Sequence, residues 1–283
     1  MPRLAVIGYP VAHSRSPAMQ SAALEALGLG DEWSYGAVEL EPERFEEVVR
    51  EMAAGDYLGA NVTVPHKETA LAVADDASAA ARAIGAANTL SFRDGRIEAE
   101  NTDAGGLLGA LADGARRSGE PALVLGAGGA ARAAIWALAH PHEAGVATGA
   151  LSEPDAESGP HEVHVWNRTA ARAEALAALL GARAVESPSQ GDYGLIVNTT
   201  AVGLRGEEPF EHLPLAADAF IPDQIVVDMV YGERPSALLA AAEAAGATTV
   251  DGLEVLVQQG ALSLEIWTGR KPDLDVMRAA AIQ

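Results

Sequence analysis

Short apolar runs alternate along the chain with longer stretches in which apolar positions recur at helical spacing. Runs of the first kind read as buried strands and stretches of the second kind as amphipathic helices. The opening unit is a strand at Leu4–Gly8, a loop to Ser16, and a helix that Pro17 opens and Gly28 closes. A strand at Ser34–Leu40, a helix from Pro42 and a strand at Leu58–Val64 follow, then short helices at Glu68–Ala74 and Ala77–Ile84. Asn88–Phe92, the Asp94-Gly95 turn and Arg96–Ala99 predict a hairpin, which puts one antiparallel strand into the first sheet. A helix from Ala104 to Arg117 leaves this series.

The second series begins at Ala122–Leu125 and continues with a helix to His140, a strand at Val163–Trp166 and a helix at Ala170–Leu180. Strands at Leu195–Val197 and Ile225–Asp228 and a helix at Ser236–Ala245 come next. A strand at Thr248–Val250 and a long helix at Leu253–Trp267 then return to the first domain. The rhythm predicts α/β architecture in two domains with mostly parallel sheets. The first is discontinuous, residues 1–104 plus 248–283, and the second spans 105–247. Residues 141–160, rich in Gly, Ser, Pro and acids without periodicity, read as a solvated surface insertion.

Composition narrows the picture. Forty acidic residues face nineteen basic ones, a formal net charge of -21, and only Lys67 and Lys271 are lysines. Such a polyanion repels nucleic acid and anionic membranes. Its carboxylates read either as an ordinary solvated acidic surface or as an adaptation to molar salt, where screening acts over ~3 Å. There is no cysteine, hence no disulfide framework or thiolate metal site, and no metal site of another kind is expected. With neither a membrane-length apolar run nor a signal-peptide pattern, the expectation is a soluble cytoplasmic protein.

The strand at Ala122–Leu125 runs into Gly126, Ala127, Gly128, Gly129, Ala130 and Ala131, a G-x-G-x-x-A turn that opens a helix. The first glycine permits the tight turn, the second lets main chain approach a diphosphate, and Ala131 allows close helix–strand packing. The free N–H groups of the helix start favour an anion. In NAD-binding chains an acid usually ends the next strand to meet the ribose 2′-hydroxyl. Here Trp166 is followed by Asn167, Arg168 and Thr169, with Arg172 one turn on. Arginines at that place suit a 2′-phosphate, so NADP is the expected cofactor. The stretch from Gly126 exceeds the usual ~20 residues because the acidic insertion lies within it.

Three segments of the first domain carry further chemistry. His13-Ser14-Arg15-Ser16-Pro17 sets two hydroxyls at a helix mouth; Ser16 reads as an N-cap or, with Ser14, as a carboxylate receptor. Asn61-Val-Thr63-Val-Pro65-His66-Lys67 ends a buried strand at the edge where open sheets bind ligands, with one of only two lysines. Asn101-Thr102-Asp103 begins the helix leaving the domain, and Asp103 either caps it or pairs with Lys67 to orient an acid–base group.

Taken in order, the SRSP loop, NVTVPHK, GAANTL, NTDAGG, LGAGGAAR, NRT, NTTAVGL, DMVYGERPS and DGLEVLVQQGALSLEIWTG resemble the shikimate dehydrogenase family from residue 4 to about 270. The resemblance implies a substrate-binding domain and a Rossmann-type NADP-binding domain. It implies NADP-dependent, reversible reduction of 3-dehydroshikimate to shikimate, in the chorismate and aromatic amino-acid pathway. Ser14 and Ser16 would then bind the substrate carboxylate, and Thr63, Lys67, Asn88, Asp103 and Gln259 would surround the ring hydroxyls. Lys67, paired with Asp103, would be the acid–base group. Tyr231 would add a substrate contact, and Met229 and Gly252 would lie near the nicotinamide. His66 and the insertion depart from the family's usual pattern without touching this chemistry.

Rival readings are a quinate or dual quinate/shikimate dehydrogenase, and a non-catalytic NADP-binding regulator on the same fold. A methylenetetrahydrofolate-type dehydrogenase shares the two-domain plan but gives no reason for the SRSP and NTD segments. The partner expected is a small-molecule substrate, and the scheme leaves room for a homodimer.

Overall fold

The structure is a computed structural model that describes residues 1–111, 120–143, 162–232 and 234–282. It divides into one unit of Met1–Gly106 with Leu256–Gln283 and a second of Leu107–Val255. The first unit holds β1 (Arg3–Gly8), β2 (Ser34–Glu39), β3 (Tyr57–Val62), β4 (Asp76–Ala77), β5 (Thr89–Arg93) and β6 (Arg96–Glu100), in the order β2-β1-β3-β5-β6-β4. β5 runs antiparallel to both its neighbours and the other pairs are parallel, as the hairpin signal predicts. Its helices are α1 (Ser16–Ala26), α2 (Phe45–Ala54), α3 (Lys67–Val73), α4 (Ala79–Ile84) and the start of α5 (Asp103–Ala110). The helix Leu274–Ile282, for which the sequence carries no strong signal, packs on α1.

The second unit holds β7 (Ala122–Leu125), β8 (Val163–Trp166), β9 (Arg183–Ala184), β10 (Leu195–Asn198), β11 (Ile225–Asp228) and β12 (Thr248–Asp251). Their order is β12-β11-β10-β7-β8-β9, with every pair parallel. Strand order reverses between β7 and β10, the place where open α/β sheets take ligands. α6 (Gly129–Ala139) follows β7. The expected boundary at 248 is corrected here: β12 pairs with β11 and belongs to the second sheet. The crossover through the helix Ala237–Ala244 returns the chain parallel to β11, so the strand lands beside it. The helix Gly252–Thr268 then spans the division between the units. Of the insertion, only residues 141–143 are described; the rest of it, and the expected extension of α5 to Arg117, lie outside the described residues.

Each sheet is buried for a readable reason. β7, β10 and β11 carry apolar residues on both faces: Val124 faces one core with Ala131, Ala134 and Leu176, and Leu123 and Leu125 face another with Leu213, Leu238 and Leu239. Alanines along α6 bring it close to the sheet, and a Leu at Ala131 would overpack by about 1–3 kcal/mol. In the first unit Phe45 and Val49 of α2 cover Ala60, Val62, Leu90 and Ile97. Among the described residues no helix is long and apolar enough to cross a membrane, and no three His, Cys, Asp or Glu side chains are grouped to hold a metal.

Candidate active site

The reversal of β5 is what assembles the first unit's site. Asn88, immediately before β5, falls at the same sheet edge as the carboxyl ends of β3 and β6, where Lys67 and Asp103 start α3 and α5. Lys67 Nζ donates to Asp103 Oδ2 at 2.6 Å, and both side chains are largely buried. Asn88 Nδ2 reaches Asp103 Oδ1 at 2.9 Å and Gln259 Oε1 at 3.0 Å. Gln259 Nε2 donates to Leu256 O at 2.8 Å, leaving one N–H over. Lys67 has three donors and spends one on Asp103.

Asp103 does not cap its helix. That role falls to Asn101, whose Oδ1 accepts from Ala104 N and whose Nδ2 donates to Ala86 O. The aspartate is thereby free to hold the lysine. Ser16 does not cap either: it is the first residue of α1, and the N-cap Arg15 makes no capping side-chain bond. The Ser14 hydroxyl accepts from Ser16 N at 3.3 Å, so its own O–H can still donate. Thr63 lies in the turn that His66 N closes on Thr63 O, half-buried just before Lys67.

His66 is buried, stacked on Phe45, with Nε2 2.7 Å from Leu40 O. Burial pushes its imidazole below the ordinary value of 6.5, against the opposing pull of that carbonyl. The ring ties the start of α3 to the end of the β2 segment and so steadies Lys67. Asn61, Thr102 and Ser263 also enter this cluster through hydrogen bonds of 2.7 to 3.3 Å to Tyr35, Asn88 and one another. Sequence reasoning misses them as site residues: Asn61 and Thr102 sit inside the NVTVPHK and NTDAGG motifs, but Ser263 lies amid a helical apolar pattern and carries no signal.

The second unit builds its site mostly from main chain. Gly126 has φ +118 and its N–H donates to Trp166 O at 2.8 Å. A Cβ there would stand 2.6 Å from Thr199 Oγ1, so only glycine fits. Gly128 is the N-cap of α6 and has no capping side chain, leaving the helix-start N–H groups to a ligand. Ala127 is buried, while Gly129 and Ala130 begin the helix half-buried.

A cavity of about 420 Å³ opens at the switch point, lined by Trp166, Asn167, Arg168, Thr200, Glu207 and His212 among others. Asn167 Nδ2 donates to Thr169 O, shaping the turn that exposes Arg168; Thr169 and Arg172 are exposed beyond it. No acid ends β8, but folding brings Glu207 to the same cavity. Its Oε2 accepts from Arg205 N and Gly203 N, and these bonds, Arg205 N–H foremost, hold its carboxyl below the usual range. Glu207 is thus occupied in bracing the loop. A diphosphate suits the open helix start and a 2′-phosphate suits Arg168, so the residues present fit a phosphorylated dinucleotide.

At the end of β11 Asp228 is buried, and among the described residues it has no cationic partner. It accepts from Asn198 Nδ2 (2.9 Å), Val230 N (3.1 Å) and the Ser236 hydroxyl (2.6 Å). Burial raises its carboxyl above the ordinary value in spite of these bonds. The loop it braces carries Met229 and Tyr231, both half-buried. Gly252 sits against the main chain of Met229, where a Cβ would meet Met229 O at 2.5 Å.

The class these features define is that of two-unit α/β proteins, one unit a Rossmann-type sheet with a nucleotide turn and the other carrying a buried lysine–aspartate pair. Comparison with known proteins narrows the class. Residues 6–90 match the family described as "Shikimate dehydrogenase substrate binding domain" and residues 252–282 match "Shikimate 5'-dehydrogenase C-terminal domain". Shikimate dehydrogenase (NADP(+)) of Thermus thermophilus is 45% identical over 285 residues, covering 99% of this chain and 98% of the relative. The structure of shikimate 5-dehydrogenase from Thermus thermophilus, in complex with NADP(H) and shikimate, superposes with a TM-score of 0.84 at 43% identity, covering 99% of this chain and 98% of that one. The ligand-free form of 5-ketofructose reductase from Gluconobacter sp. strain CHM43 superposes with a TM-score of 0.80 at 29% identity, covering 99% and 97%. This chain belongs to the shikimate dehydrogenase family.

Proposed function

We propose that the protein is an NADP-dependent shikimate dehydrogenase, reversibly reducing 3-dehydroshikimate to shikimate in chorismate and aromatic amino-acid biosynthesis. The observation that carries this reading is the 2.6 Å Lys67–Asp103 pair held by Asn88 in a chain of this family. NADPH, when bound, supplies the hydride for the ketone carbon. Lys67 donates a proton to the carbonyl oxygen as negative charge develops there, and in the reverse direction takes it from the hydroxyl. Asp103 keeps the ammonium aimed. Ser14 and Ser16 donate to the carboxylate; Thr63, Asn88 and Gln259 adjoin the ring hydroxyls, Asn88 also orienting Asp103; Tyr231 adds a contact. On the cofactor side the turn from Gly126 to Ala130 takes the diphosphate, Arg168, Arg172, Asn167 and Thr169 take the 2′-phosphate, and Met229 and Gly252 adjoin the nicotinamide.

The test is initial rates with shikimate and quinate, each with NADP⁺ and NAD⁺. Shikimate with NADP⁺ is expected to be fastest. Faster oxidation of quinate selects the quinate alternative, and tight NADP⁺ binding without turnover of either selects a regulator. We assign the enzyme to the cytoplasm. Its charge of -21 points to a salt requirement, read as a melting temperature that rises from dilute buffer to molar KCl. Equal melting in both would assign the acids to ordinary solvation.

A further inference from the structure

Tyr35 stands on β2, a half-exposed edge strand, yet its own side chain is buried. Its phenol donates to Asn61 Oδ1 at 2.7 Å. The amide oxygen only accepts, and Asn88 O, which meets Asn61 Nδ2, only accepts as well, so the phenol and that carbonyl together keep the amide in one orientation. Asn61 Nδ2 then donates to Ser263 Oγ at 2.8 Å and lies 3.3 Å from Asn88 O. Ser263 Oγ is 2.8 Å from Thr89 Oγ1 and 3.0 Å from Thr102 Oγ1. Thr102 N donates to Asn88 Oδ1 at 2.7 Å, and Asn88 Nδ2 holds Asp103 Oδ1. A continuous run of buried bonds therefore joins Tyr35 to the Lys67–Asp103 pair. Burial keeps the phenol protonated and hence a donor.

Resting on the dehydrogenase reading, we propose that Tyr35 is a positioning residue for the reaction: its phenol fixes the Asn61 amide and so holds the Asn88–Asp103–Lys67 set in one hydrogen-bonded frame. A phenylalanine would fill the same space, so the hydroxyl is the informative atom. Without it the buried Asn61 oxygen loses its donor, and the amide, held on its Nδ2 side alone, can tilt out of place. Its Nδ2 would then no longer be aimed at Ser263 Oγ. Asn61 Nδ2 would also leave Asn88 O, so the residue whose Nδ2 holds Asp103 Oδ1 would lose a main-chain anchor, and the lysine–aspartate pair would lose its fixed aim. Tyr35 reaches no reacting atom itself.

The experiment is steady-state oxidation of shikimate with NADP⁺ by the full chain and its Tyr35→Phe variant, with a thermal melt of each. The expected result is a fall of about tenfold in kcat/KM for shikimate, carried mainly by kcat, with the KM for NADP⁺ unchanged. Phe92→Leu, which thins the apolar core on β5, is the control: at a comparable loss of melting temperature it should keep its turnover. Ser263→Ala breaks the same run of bonds further along and should also lower kcat. The double variant should lose no more than the worse single one, because both cut one connection. Full turnover by Tyr35→Phe, an equal turnover loss in Phe92→Leu, or additive losses in the double variant would each overturn the proposal. Should Tyr35→Phe fail to fold, Ser263→Ala decides alone, and wild-type turnover in it overturns the proposal. A wild-type chain that turns over no shikimate overturns the dehydrogenase reading as well; an active wild type with an equally active Tyr35→Phe overturns this inference only.

Discussion

In the first unit Lys67, Asn88, Asp103 and Gln259 are held by side-chain bonds of 2.6 to 3.0 Å, each partner arriving from a different element. In the second unit the turn at Gly126 presents main-chain N–H groups at an uncapped helix start, and side chains enter chiefly at the far side of the cavity with Arg168. The difference matches what the ligand proposed for each site demands. A diphosphate is a compact anion that any correctly shaped main chain can bind. A ring with several hydroxyls must be told from its neighbours by individually placed donors and acceptors, which only a locked side-chain network provides. The first site is therefore sensitive to single atoms and the second to backbone shape.

The strongest challenge to this contrast is Lys67→Ala. Loss of the acid–base group should lower kcat by about a thousandfold while shikimate still binds. Turnover near that of wild type would remove the side-chain site from the chemistry. For the main-chain site the corresponding change is Gly126→Val. Strain at φ +118 and collision with Thr199 Oγ1 should cut kcat/KM for NADP⁺ by about a hundredfold, with shikimate affinity measured by calorimetry unchanged. Arg168→Leu probes one of the two arginines on which NADP selection is expected to rest. Its KM for NADP⁺ should rise about tenfold and that for NAD⁺ should stay as it is; a parallel rise in both would show that Arg168 shapes the pocket rather than reads the phosphate.

The smallest effect concerns His66. Because burial lowers its value in the folded chain below 6.5, the stability it contributes is present above that value and lost as pH falls through the lowered one. His66→Phe keeps the stacking on Phe45 but removes both the titration and the bond to Leu40 O. The melting-temperature gap between wild type and variant should be wide at pH 8 and narrow at pH 5. A gap of constant width would mean that the ring contributes only packing.

Much of this was legible from sequence because it depends on local chemistry. The glycine turn, the hairpin that reverses β5, and the alternation of buried strands with helices follow from neighbours in the chain. So does the absence of an acid after Trp166, which pointed to a phosphorylated dinucleotide. Three features escaped that reading. β12 was placed with the first unit, because a four-residue strand says nothing about which sheet it will join. Glu207 reaches the cavity from beyond β10, and Ser263 is one small residue on an apolar helix.

The chain by itself determined the order of its elements, the two-unit α/β plan and the glycine turn before α6, since each is set by periodicity, by glycine geometry or by residues a few positions apart. Only the tertiary structure decided that Asn101 caps α5 and releases Asp103 to Lys67. It alone brought Tyr35, Asn61 and Ser263 into one buried network with Asn88. Those decisions turn on which polar groups lose water together and must then find one another, and that is settled by packing across the sheet rather than by distance along the chain.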